Sequence, residues 1–259
     1  MKIPYFHIDA FASRPFAGNP AGVCVLEAWL PDATLQQIAF ENNLSETAFL
    51  VARTGYYDLR WFTPAIEVDL CGHATLAAAF VLFTYLGHPG DTVHFSSRSG
   101  QLTVERVGER LVLDFPSRPP RPCPTPEALV RGLGCRAVEV LCARDYFAVL
   151  ATPGEVVALK PDLAALSELE CLGIIVTAPG EDVDFVSRFF APRAGIAEDP
   201  VTGSAHCSLI PYWSGRLGKS ELTARQLSAR GGELFCQAAG ERVRIGGHAV
   251  AYLRGEIEV

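Results

Sequence analysis

The sequence lacks several features that mark common classes of binding and catalytic proteins. Its eight cysteines include no C-x-x-C pair, and no H-E-x-x-H motif or Cys/His quartet is present, so no metal site is predicted. Neither a G-x-G-x-x-G turn after a strand nor a Walker loop occurs, and nothing therefore favours nucleotide binding. Lysine and arginine number 22 against 29 acidic residues. This acidic balance excludes nucleic acid and anionic membranes as expected partners.

The chain also lacks a long hydrophobic run. Its longest apolar-rich stretch, ATLAAAFVLFTYL, is too short to span a bilayer and predicts a buried helix. The opening MKIPYFHIDAF favours a strand over an apolar signal segment. A chain of 259 residues buries enough surface to need no disulfide bonds. We therefore expect a cytoplasmic protein with reduced thiols.

The composition, 49% apolar and 20% charged, is typical of a soluble globular protein. The length fits one large domain or two of about 125 residues. The stretch 116–126 contains six prolines, which is stiff and unsuited to a central strand. We take it as the linker and predict domains at 1–117 and 118–259, leaving open whether the C-terminal strand joins the first.

A composite pattern occurs twice, at 61–87 and at 189–218. In each copy a strand ending in F-x-P is followed by a short loop, a turn of small residues and an apolar helix that ends in YLG or RLG. The repetition predicts two similar α+β domains, each with a helix wrapped by strands.

The two turns of small residues, CGHAT and TGSAH, open the two predicted helices. A helix start presents unpaired N–H groups and the positive end of the helix dipole. Glycine lets a ligand approach the backbone closely. Two such turns could hold a small carboxylate without any lysine or arginine. The alternative is that these glycines serve only the packing of tight helix starts.

Two acidic residues have competing interpretations. Asp199, before the second turn, either caps the helix or moves protons and positions a substrate amine. Glu46 follows the first predicted helix, and its spacing favours a solvated loop charge or an ion-pair partner at the helix end. Periodicity does not distinguish Glu46 from Glu41.

A histidine and a cysteine stand at the first turn. His73 and His206 occupy near-equivalent positions after the two turns. Cys71, just before the first glycine, is either a thiolate activated by the helix end or a small buried hydrophobic residue. Pro200 stands at the corresponding position of the second turn, so a symmetric pair of thiol acid–bases is absent.

Long motifs make the chain resemble the phenazine-biosynthesis PhzF-like isomerase family, which is related to diaminopimelate epimerase. The matching segments are DAF with PFAGNPAGV, NLSETAF, WFTPAIEVDLCGHATLAAA and RFFAPRAGIAEDPVTGSAH. The resemblance implies an α+β fold of two pseudo-symmetric, diaminopimelate epimerase-like domains, each a barrel-like curved sheet around a central helix, with the active site between them. It also implies a homodimer that needs no cofactor.

The resemblance places the catalytic glutamate on Glu46, which reverses the interpretation from spacing alone. His73 and Asp199 then orient the substrate or relay the proton. The residues expected to contact substrate are Asn19, Ser45, Cys71, Gly72, Gly203 and Ser204. Specificity is expected from side chains near Asn19, Phe62 and Arg188.

The resulting hypothesis is an isomerase that shifts a proton within a small carboxylate-bearing metabolite. Two alternatives remain open. One is an amino-acid racemase or epimerase that uses Glu46 or Cys71 with a partner base. The other is a small-molecule-binding protein that keeps the fold without catalysis.

Overall fold

The computed structural model describes all 259 residues, and they divide into two compact units. The first unit comprises Met1–Asp114 and Gly246–Val259, and the second comprises Phe115–Ile245. The chain forms 17 strands and six α-helices. The α+β class predicted from the sequence is confirmed.

The elements that begin within Met1–Asp114 are β1 (Lys2–Ala10), β2 (Asn19–Leu26), α1 (Asp32–Asn42), β3 (Glu46–Ala52), β4 (Tyr57–Phe62), β5 (Glu67–Val68), α2 (Gly72–Tyr85), β6 (Thr92–Ser97), β7 (Gly100–Val107) and β8 (Arg110–Pro116). The remaining elements are β9 (Arg121–Pro122), α3 (Glu127–Leu133), β10 (Glu139–Cys142), β11 (Tyr146–Val149), α4 (Pro153–Ala158), α5 (Leu163–Ser167), β12 (Ile174–Pro179), β13 (Phe185–Phe190), α6 (Gly203–Leu217), β14 (Glu221–Gln226), β15 (Gly232–Ala239), β16 (Arg242–Gly247) and β17 (Ala249–Glu258).

The first unit is built from two strand–helix–strand crossovers. β2 pairs parallel with β3 across α1, and β4 pairs parallel with β6 across α2. Two antiparallel pairs, β3 with β4 and β6 with β7, extend these crossovers. Parallel neighbours require such a crossover because a hairpin cannot join them.

The second unit repeats this order of pairings. β11 pairs parallel with β12 across α4 and α5, and β13 pairs parallel with β14 across α6. β12 with β13 and β14 with β15 are antiparallel. The repeated topology matches the prediction of two similar domains.

Each unit has one helix that is buried on several sides. Nine residues of α2 are buried, including the run from His73 to Ala79, and α2 packs against β1, β2, β3, β7 and β17. In the second unit, the Trp213 indole of α6 stacks on Phe185 of β13 with ring centroids 5.8 Å apart. A helix apolar on all sides needs such an enclosing sheet, as the sequence predicted.

The alternation of β3 determines where Glu46 points. Phe49 and Val51 belong to a hydrophobic cluster with Leu35 of α1. Because successive strand residues face opposite sides, Glu46 and Leu50 face the other side of the sheet, where α2 lies. Glu46 is therefore directed towards the start of α2 by the register of its strand.

The units divide after Asp114, close to the predicted boundary between 117 and 118, and the C-terminal strand, whose domain the sequence left open, lies in the first unit. β17 pairs antiparallel with β1 from Lys2↔Glu258 to Ala10↔Ala249, and residues 246–259 belong to the first unit for this reason. The proline-rich stretch lies in the second unit, where β9 pairs with β10 at two positions. None of the helices is long and apolar enough to cross a membrane.

Candidate active site

Glu46 and His73 form a close pair inside the first unit. Glu46 begins β3 and His73 is the second residue of α2, and Glu46 Oε2 lies 3.2 Å from His73 Nε2. Their side chains are only 12% and 5% exposed. The contact lacks hydrogen-bond geometry, so both atoms are buried without a hydrogen-bond partner. Because buried polar groups are normally satisfied, these two atoms mark a site for an incoming group.

Cys71 extends this pair into a chain of three groups. Its Sγ lies 3.5 Å from His73 Nδ1, on the imidazole nitrogen that does not face Glu46. Burial, followed by the charge of Glu46, raises the pKa of the Cys71 thiol to about 11. The thiol is therefore neutral near pH 7, which argues against a standing thiolate.

The pKa of His73 is raised above its usual value. Burial by itself lowers this pKa, but the thiolate form of Cys71 and the Glu46 carboxylate raise it more. Since the Cys71 thiol is protonated near neutral pH, Glu46 supplies the relevant negative charge. The negative charge of Glu46 therefore favours the imidazolium form of His73.

The three groups also bear on metal binding, because suitable atoms of Glu46, Cys71 and His73 all lie within 4.8 Å of one another. Cys71 Sγ lies nearest to Nδ1 of the imidazole and Glu46 Oε2 nearest to Nε2. The same three groups can therefore also act as a chain for proton transfer.

Two other predicted residues of this unit lie beside Glu46, one in the chain and one on the neighbouring strand. Ser45 immediately precedes Glu46 and is half-buried. Asn19 is fully buried at the start of β2, two residues before Ala21, which is paired with Glu46. Two residues along a strand share a face, so Asn19 lies on the same face as Glu46.

The start of α2 provides unpaired donors beside His73. The N–H of Thr75 makes the first intrahelical bond, to the Cys71 carbonyl at 3.2 Å, and Cys71 caps the helix without a side-chain hydrogen bond. The N–H groups of Gly72 and His73 therefore have no intrahelical acceptor.

In the second unit, Asp199 supports the start of α6. Its Oδ2 accepts a 2.6 Å hydrogen bond from the hydroxyl of Thr202, the N-cap residue. Gln226 donates from Nε2 to the Asp199 carbonyl at 2.7 Å and accepts from the Thr202 N–H at 2.9 Å. The predicted turn residues Gly203 and Ser204 then begin the helix. Asp199 thus organises the loop that precedes the predicted anion-binding turn.

An arginine also reaches this turn. Arg144 Nη2 donates to the Ser204 hydroxyl at 2.9 Å and to Asp145 Oδ2 at 3.2 Å. Spacing could not reveal it, because Arg144 precedes Ser204 by 60 positions. The turn that begins α6 therefore has an arginine beside it, which the sequence pattern did not show.

His206 differs from His73 despite their near-equivalent positions in the sequence. It is completely buried, and its Nδ1 contacts the Thr202 carbonyl at 2.8 Å. Burial lowers the pKa of His206 to about 4. His206 is therefore neutral and structural near pH 7.

Two residues near which specificity is expected make structural contacts of their own. Phe62 is 2% exposed within the hydrophobic cluster under α1. Arg188 binds both oxygens of Glu198, at 2.7 and 2.9 Å, and also donates to the carbonyls of Val156 and Leu159. Phe62 is thus buried and four of the five N–H donors of Arg188 are occupied, while specificity from the side chains near them stays a prediction.

Comparison with known proteins agrees with this fold. An uncharacterized isomerase of Pseudomonas aeruginosa is 56% identical over 260 residues, with 100% of both chains covered. The crystal structure of a PhzF-family phenazine biosynthesis protein from Enterococcus faecalis superimposes with a TM-score of 0.98 at 51% identity, also with 100% of both chains covered.

A more distant structure shares the fold alone. A hydroxyproline epimerase from Agrobacterium vitis superimposes with a TM-score of 0.62 at 10% identity, covering 99% of this chain and 92% of that one. The family model described as phenazine biosynthesis-like protein matches residues 8–255. The chain therefore belongs to the family of phenazine biosynthesis-like proteins.

Proposed function

We propose that this protein is a cofactor-independent isomerase that shifts a proton within a small carboxylate-bearing metabolite. Family membership and a relative named an isomerase support the general class. The observation that carries the specific reaction is the buried contact of 3.2 Å between Glu46 Oε2 and His73 Nε2. A carboxylate and an imidazole so placed can accept a proton at one atom and deliver it at another.

Glu46 removes a proton from an acidic carbon of the substrate. Its Oε2 has no hydrogen-bond partner, so its lone pairs are available to that proton. The raised pKa of His73 keeps the ring cationic beside Glu46 before the transfer. Glu46 then returns the proton to another carbon, or His73 delivers its own and is reprotonated from Glu46.

The first turn of α2 stabilises the negative charge that develops on the substrate. The unpaired N–H groups of Gly72 and His73 and the positive end of the helix dipole suit a carboxylate or an enolate-like oxygen. Ser45, next to Glu46 in the chain, and Asn19, on the same face of the neighbouring strand β2, supply further contacts. The required donors are all parts of the protein, so the proposed reaction needs no cofactor.

Asp199, Gly203 and Ser204 act at the start of α6. Asp199 holds the Thr202 hydroxyl at 2.6 Å and so fixes the turn whose N–H groups bind an anionic part of the substrate. A direct proton-handling role of Asp199 remains part of the proposal. Asp199→Asn separates the two roles, because it keeps the side-chain oxygen that accepts from Thr202 but removes the basic carboxylate.

A screen in D₂O tests the proposed reaction. Small amino and hydroxy acids, saturated and unsaturated, are incubated with the protein and followed by NMR and by optical rotation. A proton shift gives deuterium at a carbon and a new double-bond position. Loss of optical rotation with deuterium only at the α carbon identifies a racemase. Thermal stabilisation without any exchange for every acid that binds indicates a binding protein and overturns the proposal.

Two properties accompany the proposed function. We propose a reducing, cytoplasmic location, supported by eight free cysteines. We also propose a homodimer, supported by an exposed aromatic pair on the first unit, Phe16 and Tyr252, which are 72% and 53% exposed. Large exposed apolar side chains often mark interfaces. Sedimentation velocity of the native chain and of a Phe16→Ser, Tyr252→Ser variant tests this, with a monomeric native protein as the contradictory result.

A further inference from the structure

Two cysteines lie on the same face of a narrow β-ribbon in the second unit, formed by β9 and β10. Cys142, the last residue of β10, is paired with Arg121 of β9. The Cys123 N–H donates to the Val140 carbonyl at 3.4 Å, which continues the same register. Because strand residues two apart share a face, Cys142 lies on the side of the ribbon that Val140 and Cys123 share. The two cysteines are therefore diagonal neighbours across the two strands.

The two thiols are close enough to act on each other. Burial, followed by a hydrogen bond with Cys142 and then its charge, raises the pKa of the Cys123 thiol to about 11. Both residues are free cysteines and are half-buried. A small molecule in solvent can therefore reach this pair of adjacent thiols.

The backbone around Cys123 can adjust enough to join the two sulfurs. A disulfide needs Cα atoms within about 6.8 Å of each other, whereas diagonal neighbours lie about 7–8 Å apart. β9 pairs with β10 at only two positions. Cys123 follows the end of β9, in a loop that runs to the start of α3. A small shift of this loop brings the pair within range.

Two other half-buried cysteines of the second unit have different surroundings. Burial, followed by the charge of Glu155, raises the pKa of the Cys135 thiol. Burial also raises the pKa of the Cys171 thiol, on which the Tyr146 backbone and the charge of Asp145 act. Neither thiol has another cysteine among the groups that act on it. Both serve as references for thiols outside the pair.

We propose that Cys123 and Cys142 are a redox-active pair that closes to a disulfide on reaction with a small-molecule disulfide. The Cys142 thiolate attacks one sulfur of the oxidant and displaces one small thiol, which leaves a mixed disulfide on Cys142. The Cys123 sulfur then attacks the Cys142 sulfur and displaces the second small thiol. The two cysteines lose two electrons and two protons, and the oxidant gains both as it becomes two thiols.

The order of the two steps follows from the state of Cys123. Its thiol keeps its proton near pH 7 because its pKa is about 11, and a thiolate is the attacking species. Cys142 therefore reacts first and Cys123 resolves the mixed disulfide. In a reducing compartment the pair stays open, and it closes only when the small disulfide accumulates.

Closure has a mechanical consequence for the second unit. The disulfide joins β9 to β10 and closes a loop that contains residues 124–141 and the whole of α3. Such a link restricts the unfolded chain and so stabilises the folded state. The oxidised protein should therefore unfold at a higher temperature than the reduced protein. This inference does not depend on the proposed isomerase activity.

The test treats the full chain with glutathione disulfide at neutral pH, blocks the remaining thiols with iodoacetamide and maps tryptic peptides without reduction. Trypsin cleaves at Arg131 and Arg136, which lie between the two cysteines, so a link joins two separate peptides. Thermal unfolding is measured with and without dithiothreitol. The variants are Cys123→Ser and Cys142→Ser, with Cys135→Ser as the matched control from the same unit.

We expect the native chain and Cys135→Ser to give the linked peptides and a higher unfolding temperature that dithiothreitol reverses. Cys123→Ser should carry glutathione on Cys142, whereas Cys142→Ser should leave Cys123 free for iodoacetamide. The linked peptides of the native chain decide the matter even if a variant does not fold. An unlinked native chain, a link from Cys142 to Cys171, or glutathione on Cys123 in Cys142→Ser would overturn the inference.

Discussion

Glu46 Oε2 lies 3.2 Å from His73 Nε2, although one residue begins a strand and the other begins a helix. The register of β3 turns Glu46 towards α2, and the enclosing strands bury both side chains. An isolated buried charge is strongly disfavoured, so the negative charge of Glu46 stabilises the imidazolium form of His73. The following predictions test this relationship and the roles of the residues around it.

The raised pKa of His73 predicts a defined dependence of stability on pH. The folded protein keeps the His73 proton above pH 6.5, the usual value at which the unfolded chain loses it. The resulting stabilisation is complete below that pH and is lost as pH rises through the folded-state pKa. NMR titration of the His73 ring should show this raised value in the native protein and a lower one in Glu46→Gln. The exposed His94 serves as the internal control, and an unchanged His73 titration in the variant would refute the pairing.

His73 should also matter for turnover. His73→Asn removes the imidazolium beside Glu46, and we expect turnover to fall by about 100-fold or more, the usual contribution of a positioned acid or base. The measurement is the steady-state rate with an acid that the native protein converts. His94→Asn, on the surface of the same unit, is the matched control, and equal rates for the two variants would exclude His73 from the mechanism.

The lowered pKa of His206 predicts that the folded protein loses stability in acid. Its pKa is lowered to about 4 in the folded protein, so between this value and about 6.5 only the unfolded chain binds the proton. The stabilisation is present above pH 6.5 and is lost as pH falls to about 4, with a maximum of about 3 kcal/mol. Urea unfolding at neutral and at acidic pH measures the effect. His206→Gln should unfold with a smaller pH dependence over this window, and an identical dependence would contradict the assignment.

Cys71 should be chemically inert in the native protein. The whole residue is 6% exposed. Burial, followed by the charge of Glu46, raises the pKa of the thiol to about 11. We expect iodoacetamide at neutral pH to label Cys71 only after denaturation, as followed by mass spectrometry. Cys71→Ala should keep turnover within about tenfold, since a neutral thiol supplies little acid–base catalysis. Rapid native labelling with loss of activity would favour the thiol-based racemase.

Arg188 should contribute to stability and not to substrate binding. Its side chain is 11% exposed and bidentate to Glu198. Arg188→Gln leaves a partly buried carboxylate and two carbonyls without their donor, and we expect a loss of roughly 3 kcal/mol in the free energy of unfolding. Urea unfolding measures this loss. A variant of native stability with weakened binding of small acids would contradict the structural role.

The sequence predicted the parts of the fold that depend on local pattern. The apolar residues on all sides of α2 and the repeated small-residue turns predict two helices that are enclosed by strands, as the structure has them. Periodicity could not select Glu46 over Glu41, because it does not show that the register of β3 directs Glu46 towards α2. Only the family resemblance identified it.

Non-local contacts account for what the sequence did not show. The bidentate pair of Arg188 and Glu198 and the burial of Phe62 under α1 depend on packing across elements that spacing does not reveal. The same holds for Arg144, which reaches Ser204 from a loop far away in sequence. The sequence left open which domain holds the C-terminal strand, and the pairing of β17 with β1 places it in the first unit.

The rate of deuterium incorporation into an acid by Glu46→Gln, compared with Glu41→Gln, tests the central claim most directly. Glu41 is an exposed glutamate on α1, so both variants lose one carboxylate from neighbouring positions. We predict that Glu46→Gln incorporates deuterium at least about 100-fold more slowly than the native protein while still binding the acid. Glu41→Gln should match the native rate. Incorporation at the native rate by Glu46→Gln would contradict the account.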